Sequence, residues 1–320
     1  MRSASARGTI LAAVVALAPT AAAEPPGWIG GTYRSAAGEA VTVYVSSAYS
    51  PEQAAPQRWA EFFAGLPHGS ELGSLVVRVG TPGDVRALCG EGALGCYSAR
   101  ELVMPGEAHA GETPEQVARH EYGHHVAASR ANPPWRAESW GPKRWATAAH
   151  VCERTRRGTA FPGDDGTHYR LDPGEAFAES YRVLAERRAG ATLATWGLVD
   201  GSFYPDEAAL RAVEQDVVRP WTGQTTTRWS GRFRPLGARR RVYSVATPLD
   251  GELTAELRVP PGRLDGLELL TADGRLLTRG LWSGTQTRRL SFVVCGQRRL
   301  VLRVRSAGPA GSFDLTLSRP

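Results

Sequence analysis

His120 and His124 stand four residues apart in the run His120-Glu121-Tyr122-Gly123-His124. In a helix, residues at that spacing share one face a turn apart, so two neutral imidazoles there can hold one metal ion, with Zn2+ the expected one. Glu121 lies beside that face, not on it. Its carboxylate can therefore reach a metal-bound water without occupying a coordination position. Zinc lowers the pKa of bound water to about 7, and an adjacent carboxylate can take its proton as general base. The chemistry this pattern points to is hydrolysis at a polarised carbonyl.

A third ligand is needed. One class of such motifs continues with a glycine three residues on and a histidine six on, but those positions here are Ala127 and Arg130. Another class takes a glutamate from a later helix. Glu175-Ala176-Phe177-Ala178-Glu179 offers two carboxylates at i and i+4, while Phe177, Tyr181 and Leu184 fall on a separate apolar face. Glu175 is the candidate ligand. Glu179 is the candidate to hydrogen-bond a ligand histidine from behind and fix its tautomer. The plainer alternatives are that Glu175 caps its helix and that Glu179 pairs with Arg182 or Arg187.

The elements that must carry these residues are well marked. Thr113-Pro114-Glu115-Gln116 combines a capping hydroxyl, proline at the first helical position and glutamine at the capping-box position, predicting a helix to about residue 130. Asp172-Pro173-Gly174-Glu175 starts another to about 188, and a third fits 206–218. A helix is also expected within 51–66, and strands over 41–45, 75–79 and 101–104. From about residue 240 onward, short β-rich runs alternate with turns, as in an all-β sandwich. The stretch 132–169, rich in Trp, Tyr and Arg, is expected to shape the substrate cleft.

The chain start has Arg2 and Arg7, then a nine-residue apolar run from Ile10 to Ala18 and the small residues Ala21-Ala22-Ala23. This reads as a secretory signal peptide over 1–23, too short in its apolar part for a membrane span. Export fits four cysteines. Cys89 and Cys96 are the expected disulfide, with Cys152 and Cys295 a weaker inference, and no CxxC spacing suggests a cysteine zinc site. Residues 226–320 hold 17 Arg and 7 acids, a net +10; with the chain at +6 and Arg2 and Arg7 removed, 24–225 is left at −6. The basic end is either an ordinary solvated surface or a weak contact for anionic cell-surface material.

The His120-Glu121-x-x-His124 motif with downstream Glu175-x-x-x-Glu179 resembles the gluzincin class of zinc metallopeptidases. The resemblance covers about residues 111–184. It implies His120, His124 and Glu175 as zinc ligands and Glu121 as general base, and it puts 101–104 at the cleft edge beside an extended peptide. Glu179 stands where that class usually has an aspartate. The oxyanion donor has no motif; His168, Tyr169 and Tyr181 are candidates, whereas His125 and His150 read as structural. Tyr243-Ser244-Val245, 267–274 and 313–317 are similar to the pre-peptidase C-terminal domain.

The expected fold is thus an α+β zincin-like metallopeptidase domain (24–222), a linker (223–227) and an all-β sandwich domain (228–320). The expected function is a secreted zinc-dependent endopeptidase acting on protein or peptide substrates, with no nucleic-acid partner and no membrane span. The alternative is a non-catalytic secreted binding or adhesion protein with a structural or vestigial zinc site. A zinc hydrolase acting on a non-peptide bond also remains open.

Overall fold

The computed structural model describes residues 26–50, 52–194, 196–263, 265–306 and 310–320. The signal-peptide segment, 1–23, lies outside the described residues.

Strands β1 (Trp28–Arg34), β2 (Ala40–Ser46), β3 (Val76–Gly80), β4 (Cys96–Ser98) and β5 (Glu101–Pro105) form one sheet in the order β1-β2-β3-β5-β4. The central three run parallel, and the two outer strands are antiparallel to their neighbours. Period-two alternation sends Val41, Val43, Val45, Val77 and Val79 into the core. Helices α1 (Pro56–Ala64), α2 (Pro82–Cys89), α3 (Pro114–Ala128), α4 (Ala137–Trp140), α5 (Lys143–Ala148), α6 (Val151–Arg156), α7 (Pro173–Ala189) and α8 (Glu207–Val218) accompany it.

The capping chemistry read from the sequence sets the helices that matter. Gln116 N–H donates to Thr113 Oγ1 at 3.3 Å and Thr113 N–H donates to Gln116 Oε1 at 2.7 Å, closing the capping box of α3. Asp172 accepts from Gly174 N–H at 2.8 Å to start α7, which ends at Gly190 in the left-handed region, φ 63°. Buried Phe177 and Tyr181 of α7 meet Tyr122 of α3 and Trp145 of α5 in one aromatic core.

One expectation is corrected. Residues 101–104 are not the sheet edge: β5 lies between β3 and β4, and β4 is the edge. Two things hid β4 from the sequence. Three residues are too few to display an alternation. The hairpin joining it to β5 turns on Ala99 and Arg100, with φ 51° and 75°, where glycine or asparagine would ordinarily mark the turn.

The C-terminal part is entirely strand and turn. β6 (Thr225–Phe233), β7 (Arg240–Ala246), β8 (Gly251–Arg258), β9 (Gly266–Thr271), β10 (Leu276–Arg279), β11 (Leu281–Trp282), β12 (Thr287–Val294), β13 (Arg299–Arg305) and β14 (Gly311–Arg319) make two antiparallel sheets. Their orders are β10-β9-β13-β7 and β11-β12-β8-β14-β6. Leu253, Leu257, Leu302, Leu315 and their neighbours fill a sandwich-like core separate from that of the first sheet. β6 begins inside the segment read as a linker, since Thr225–Thr227 pair with β14.

Strand ends of the sandwich meet α5 and α6. Cys152 is bridged to Cys295. Lys143, the only lysine in the chain, is buried and donates to Pro133 O at 2.6 Å and Asp250 O at 3.1 Å, with the Trp135 and Trp221 rings over its ammonium.

Candidate metal centre

Helix α3 carries His120 and His124 on one face, and α7 crosses it with Glu175 and Glu179. The approach is close because of Gly123: a Cβ there would lie 2.7 Å from Ala178 Cα and 3.0 Å from Ala178 O. Only a glycine admits the neighbouring helix backbone at that distance.

The three proposed ligands come together. His120 Nε2 lies 3.2 Å from Glu175 Oε2 and 3.2 Å from His124 Nε2, and His124 Nε2 lies 3.5 Å from Glu175 Oε1. A tetrahedral ion with ligand bonds of 2.0–2.1 Å has its ligand atoms roughly 3.3 Å apart, so these separations fit one such ion. Two Nε2 atoms at this distance oppose lone pair to lone pair unless a proton or cation lies between them. The donor set, two imidazoles and one carboxylate, could hold one metal ion. No other group of three such residues is gathered in this way among the described residues.

Behind the ligands is a buried polar chain. With Nε2 directed at the metal position, His120 Nδ1 carries the proton and donates to Glu179 Oε2 at 3.3 Å. Glu179 also accepts from Arg182, which reaches on to Glu186 Oε1 at 3.0 Å. Both readings of Glu179 therefore hold together: it backs His120 and pairs with Arg182. Burial pushes the Glu179 carboxyl up, but His120 and Arg182 outweigh that and bring it down to about 2. Burial likewise works against the charges of His120 and Glu175. Hydrogen bonds to Glu175 and Glu179 nonetheless hold His120 well above the ordinary imidazole value, and His124 and His120 hold Glu175 far below the usual carboxylate range. The site is built for charge, with negative groups arranged around a cationic centre.

Glu121 is buried beside this centre and lines a cavity of about 90 Å3 with Leu94, Val117, His120, Gly197 and Leu198. Burial raises its carboxyl above the ordinary value. Gly95, next to edge strand β4, packs on it: a Cβ at Gly95 would stand 3.1 Å from Glu121 Oε1 and 2.6 Å from Val117 Cγ1. Cys89, at the end of α2, is bridged to Cys96 at the start of β4. The expected disulfide thus anchors the edge strand.

Of the three candidate oxyanion donors, Tyr169 reaches the centre, its hydroxyl donating to Glu175 Oε2 at 2.7 Å. Tyr181 is in the core and donates to Pro67 O. His168 pairs with Asp164 and stacks on Phe161. His125 is fully buried between Tyr97 and the Glu71 carbonyl, and His150 is exposed and paired with Glu153. The segment 132–169 does less at the cleft than expected. Trp145 belongs to the core, where its indole N–H donates to Ser180, and Tyr169 is the residue of that segment in contact with a ligand. Gly95 is a contributor the sequence reading did not single out; Gly123 stood there only as a spacer of the motif, and Arg182 only as an ion-pair partner of Glu179. A glycine inside the metal motif, at a helix position where it costs stability, was the one available signal.

No family model matches the chain, and no curated protein matches it. Weak likenesses to solved structures exist. The pre-peptidase C-terminal domain of a collagenase from Bacillus anthracis matches at 17% identity and a TM-score of 0.24, over 29% of this chain and 88% of that one. The mitogen from Yersinia pseudotuberculosis matches at 12% identity and 0.24, over 30% and 87%. The periplasmic inhibitor of g-type lysozyme from Aeromonas hydrophila matches at 11% and 0.23, over 32% and 91%. No argument about activity or partner rests on likenesses of this strength. Among the described residues no helix is long and apolar enough to cross a membrane, and the cysteines form two disulfides.

Proposed function

We propose that the chain is a secreted zinc-dependent endopeptidase with a zincin-like N-terminal domain. The observation that carries this reading is the convergence of His120 Nε2, His124 Nε2 and the Glu175 carboxylate at 3.2–3.5 Å, the separations of a tetrahedral site. Bound zinc would supply Lewis acidity and an acidified water. Glu121 would serve there as the general base and would return the proton to the leaving amine. Glu179 and Arg182 hold His120 in its tautomer and orientation. Tyr169, beside Glu175, is the residue best situated to donate to a developing oxyanion. The free side of β4, next to Glu121, suits an extended peptide added as a further strand. Two disulfides, one within the first sheet's part and one joining it to the sandwich, support export to an oxidising compartment.

The test is casein cleavage by the purified protein with and without 1,10-phenanthroline, beside zinc content of wild type, Glu175→Ala and Glu121→Gln. The expected result is chelator-sensitive cleavage, zinc lost in Glu175→Ala, and zinc retained in Glu121→Gln with turnover reduced by at least ~10²-fold. Bound zinc without cleavage of casein or of any peptide library would favour a binding protein with a structural ion. Wild-type activity in Glu121→Gln would refute the mechanism.

A further inference from the structure

The two outer faces of the C-terminal sandwich differ in charge. On the sheet β11-β12-β8-β14-β6, alternation from the buried Leu253, Leu257 and Leu315 turns four arginines outward together with Glu252, Glu256 and Asp314. That face is nearly balanced, and its acids are paired: Glu256 with Arg258 and Arg289, Asp314 with Ser230. On the sheet β10-β9-β13-β7, alternation from Leu300, Leu302 and Val304 turns out Arg240, Arg279, Arg299, Arg303 and Arg305 against the single acid Glu268.

The arrangement of those five is organised. Glu268 is 5% exposed and sits among three guanidiniums, with Arg303 at 2.7 Å, Arg279 at 3.5 Å and Arg305 at 3.7 Å. One buried carboxylate cannot neutralise three arginines. It fixes their direction and leaves the face with a net positive charge. Arg240 is directly opposite Arg305 across the β13–β7 ladder, a like-charge pairing that costs stability. Arg240 and Arg299 have no carboxylate partner among the described residues. A fold that keeps such a conflict has a reason outside its own stability.

We propose that this face binds an extended polyanion with repeating phosphate groups. Along β13 Arg303 and Arg305 lie ~7 Å apart and Arg299 ~13 Å from Arg303, and facing charges on neighbouring strands lie ~5 Å apart. Planar guanidinium forks match phosphate oxygens two at a time. A bilayer surface fits less well, because the apolar residues exposed there, Val242 and Leu276, are scattered among the arginines and give little to insert. The face is also rigidly mounted. Contacts to the N-terminal part come from strand ends, through Cys152–Cys295, Lys143 with Asp250, and Arg156 with Val293 O. A polymer held on this sheet keeps the metal centre at a set position relative to that polymer.

The test uses the full chain and poly(glycerol phosphate) as probe, with binding followed by calorimetry from 50 to 300 mM salt. No peptide substrate is present, so the outcome is independent of the metal centre's activity. Arg240→Gln/Arg299→Gln/Arg305→Gln should bind roughly 10- to 100-fold more weakly and lose about 2 from the slope of log affinity against log salt. Arg228→Gln/Arg232→Gln/Arg289→Gln, with the same charge change on the other sheet, should stay within about twofold of wild type. Thermal unfolding at or above the wild-type temperature in both variants secures the comparison, a rise in the first being expected from loss of the Arg240–Arg305 repulsion. Equal weakening in the two variants would overturn the assignment to this face. Binding to phosphatidylglycerol vesicles but not to the polymer would overturn the choice of partner.

Discussion

Gly95 has no functional group, yet the position of the Glu121 carboxylate, the proposed base, depends on it. A methyl there would meet Val117 Cγ1 at 2.6 Å, Val103 O at 2.9 Å and Glu121 Oε1 at 3.1 Å. The backbone carbonyl cannot yield, so the strand or Glu121 must move. Misplacing a catalytic group by about 1 Å can cost on the order of 10²-fold in rate. Gly95→Ala is therefore expected to lower peptide turnover by about that factor while zinc content stays at wild type. Zinc lost along with activity would mean that the damage reaches the ligands and would refute this role. That His120, His124 and Glu175 could share one ion was legible in the sequence, because such a cluster demands residue type and spacing at once. Gly95 was not, because it acts through Val117 and Glu121, which lie more than twenty residues further along the chain; Arg182 was legible as a partner of Glu179, three residues away, but its link through Glu179 to His120 was not. For Tyr169 the sequence offered two rivals, and only the fold separates a tyrosine on the ligand from one in the core.

At the scale of elements, the centre is a crossing of two helices, and its dimensions follow from how near they come. Gly123 lies against the α7 backbone at Ala178, 2.7 Å from where a Cβ would stand. Relief in Gly123→Ala can come only by separating α3 from α7, which carries Glu175 away from both imidazoles. Overpacking of this kind costs roughly 1–3 kcal/mol, against about 1 kcal/mol gained from helix propensity. The expected outcome is lower stability in urea together with weaker zinc retention in a chelator competition. Unchanged zinc retention would show that helix separation does not set the site. The helices themselves were readable from local chemistry: Thr113 with Gln116 and Asp172 with Pro173 mark starts that need no tertiary information. Strand β4 and helices α4–α6 were not readable. They are only three to six residues long, shorter than two periods of the pattern that would identify a helix, and tertiary contacts hold them.

For the whole molecule, the question is whether the two cores behave as one body, and Lys143 is where that can be measured. Its ammonium is 1% exposed, between Pro133 O of the first part and Asp250 O of the sandwich. Burial lowers its pKa from 10.5 to about 8, a fall that the Asp250 and Asp216 charges only partly offset. The sign follows directly. Below pH 8 the lysine is charged in both folded and unfolded chains, and the full cost of burying that charge is present. Between pH 8 and 10.5 the unfolded chain binds the extra proton, so stability rises with pH from this group. Buried Tyr122 and Tyr181 have pKa values raised by burial and oppose the trend above about pH 10, which confines the useful window to pH 8–10. Across it, wild type should gain on Lys143→Met by on the order of 2 kcal/mol in urea unfolding, at up to ~1.4 kcal/mol per pH unit. The gain should fall on a single transition monitored by the tryptophans of both parts, since the Cys152–Cys295 bridge spans 143 residues and ties the parts across this same contact. Parallel pH curves for the two proteins would refute the buried charge at the junction. Two separate transitions, with the pH effect on one alone, would show that the sandwich is not fixed to the metal-binding part and would remove the rigid mounting argued for the arginine face.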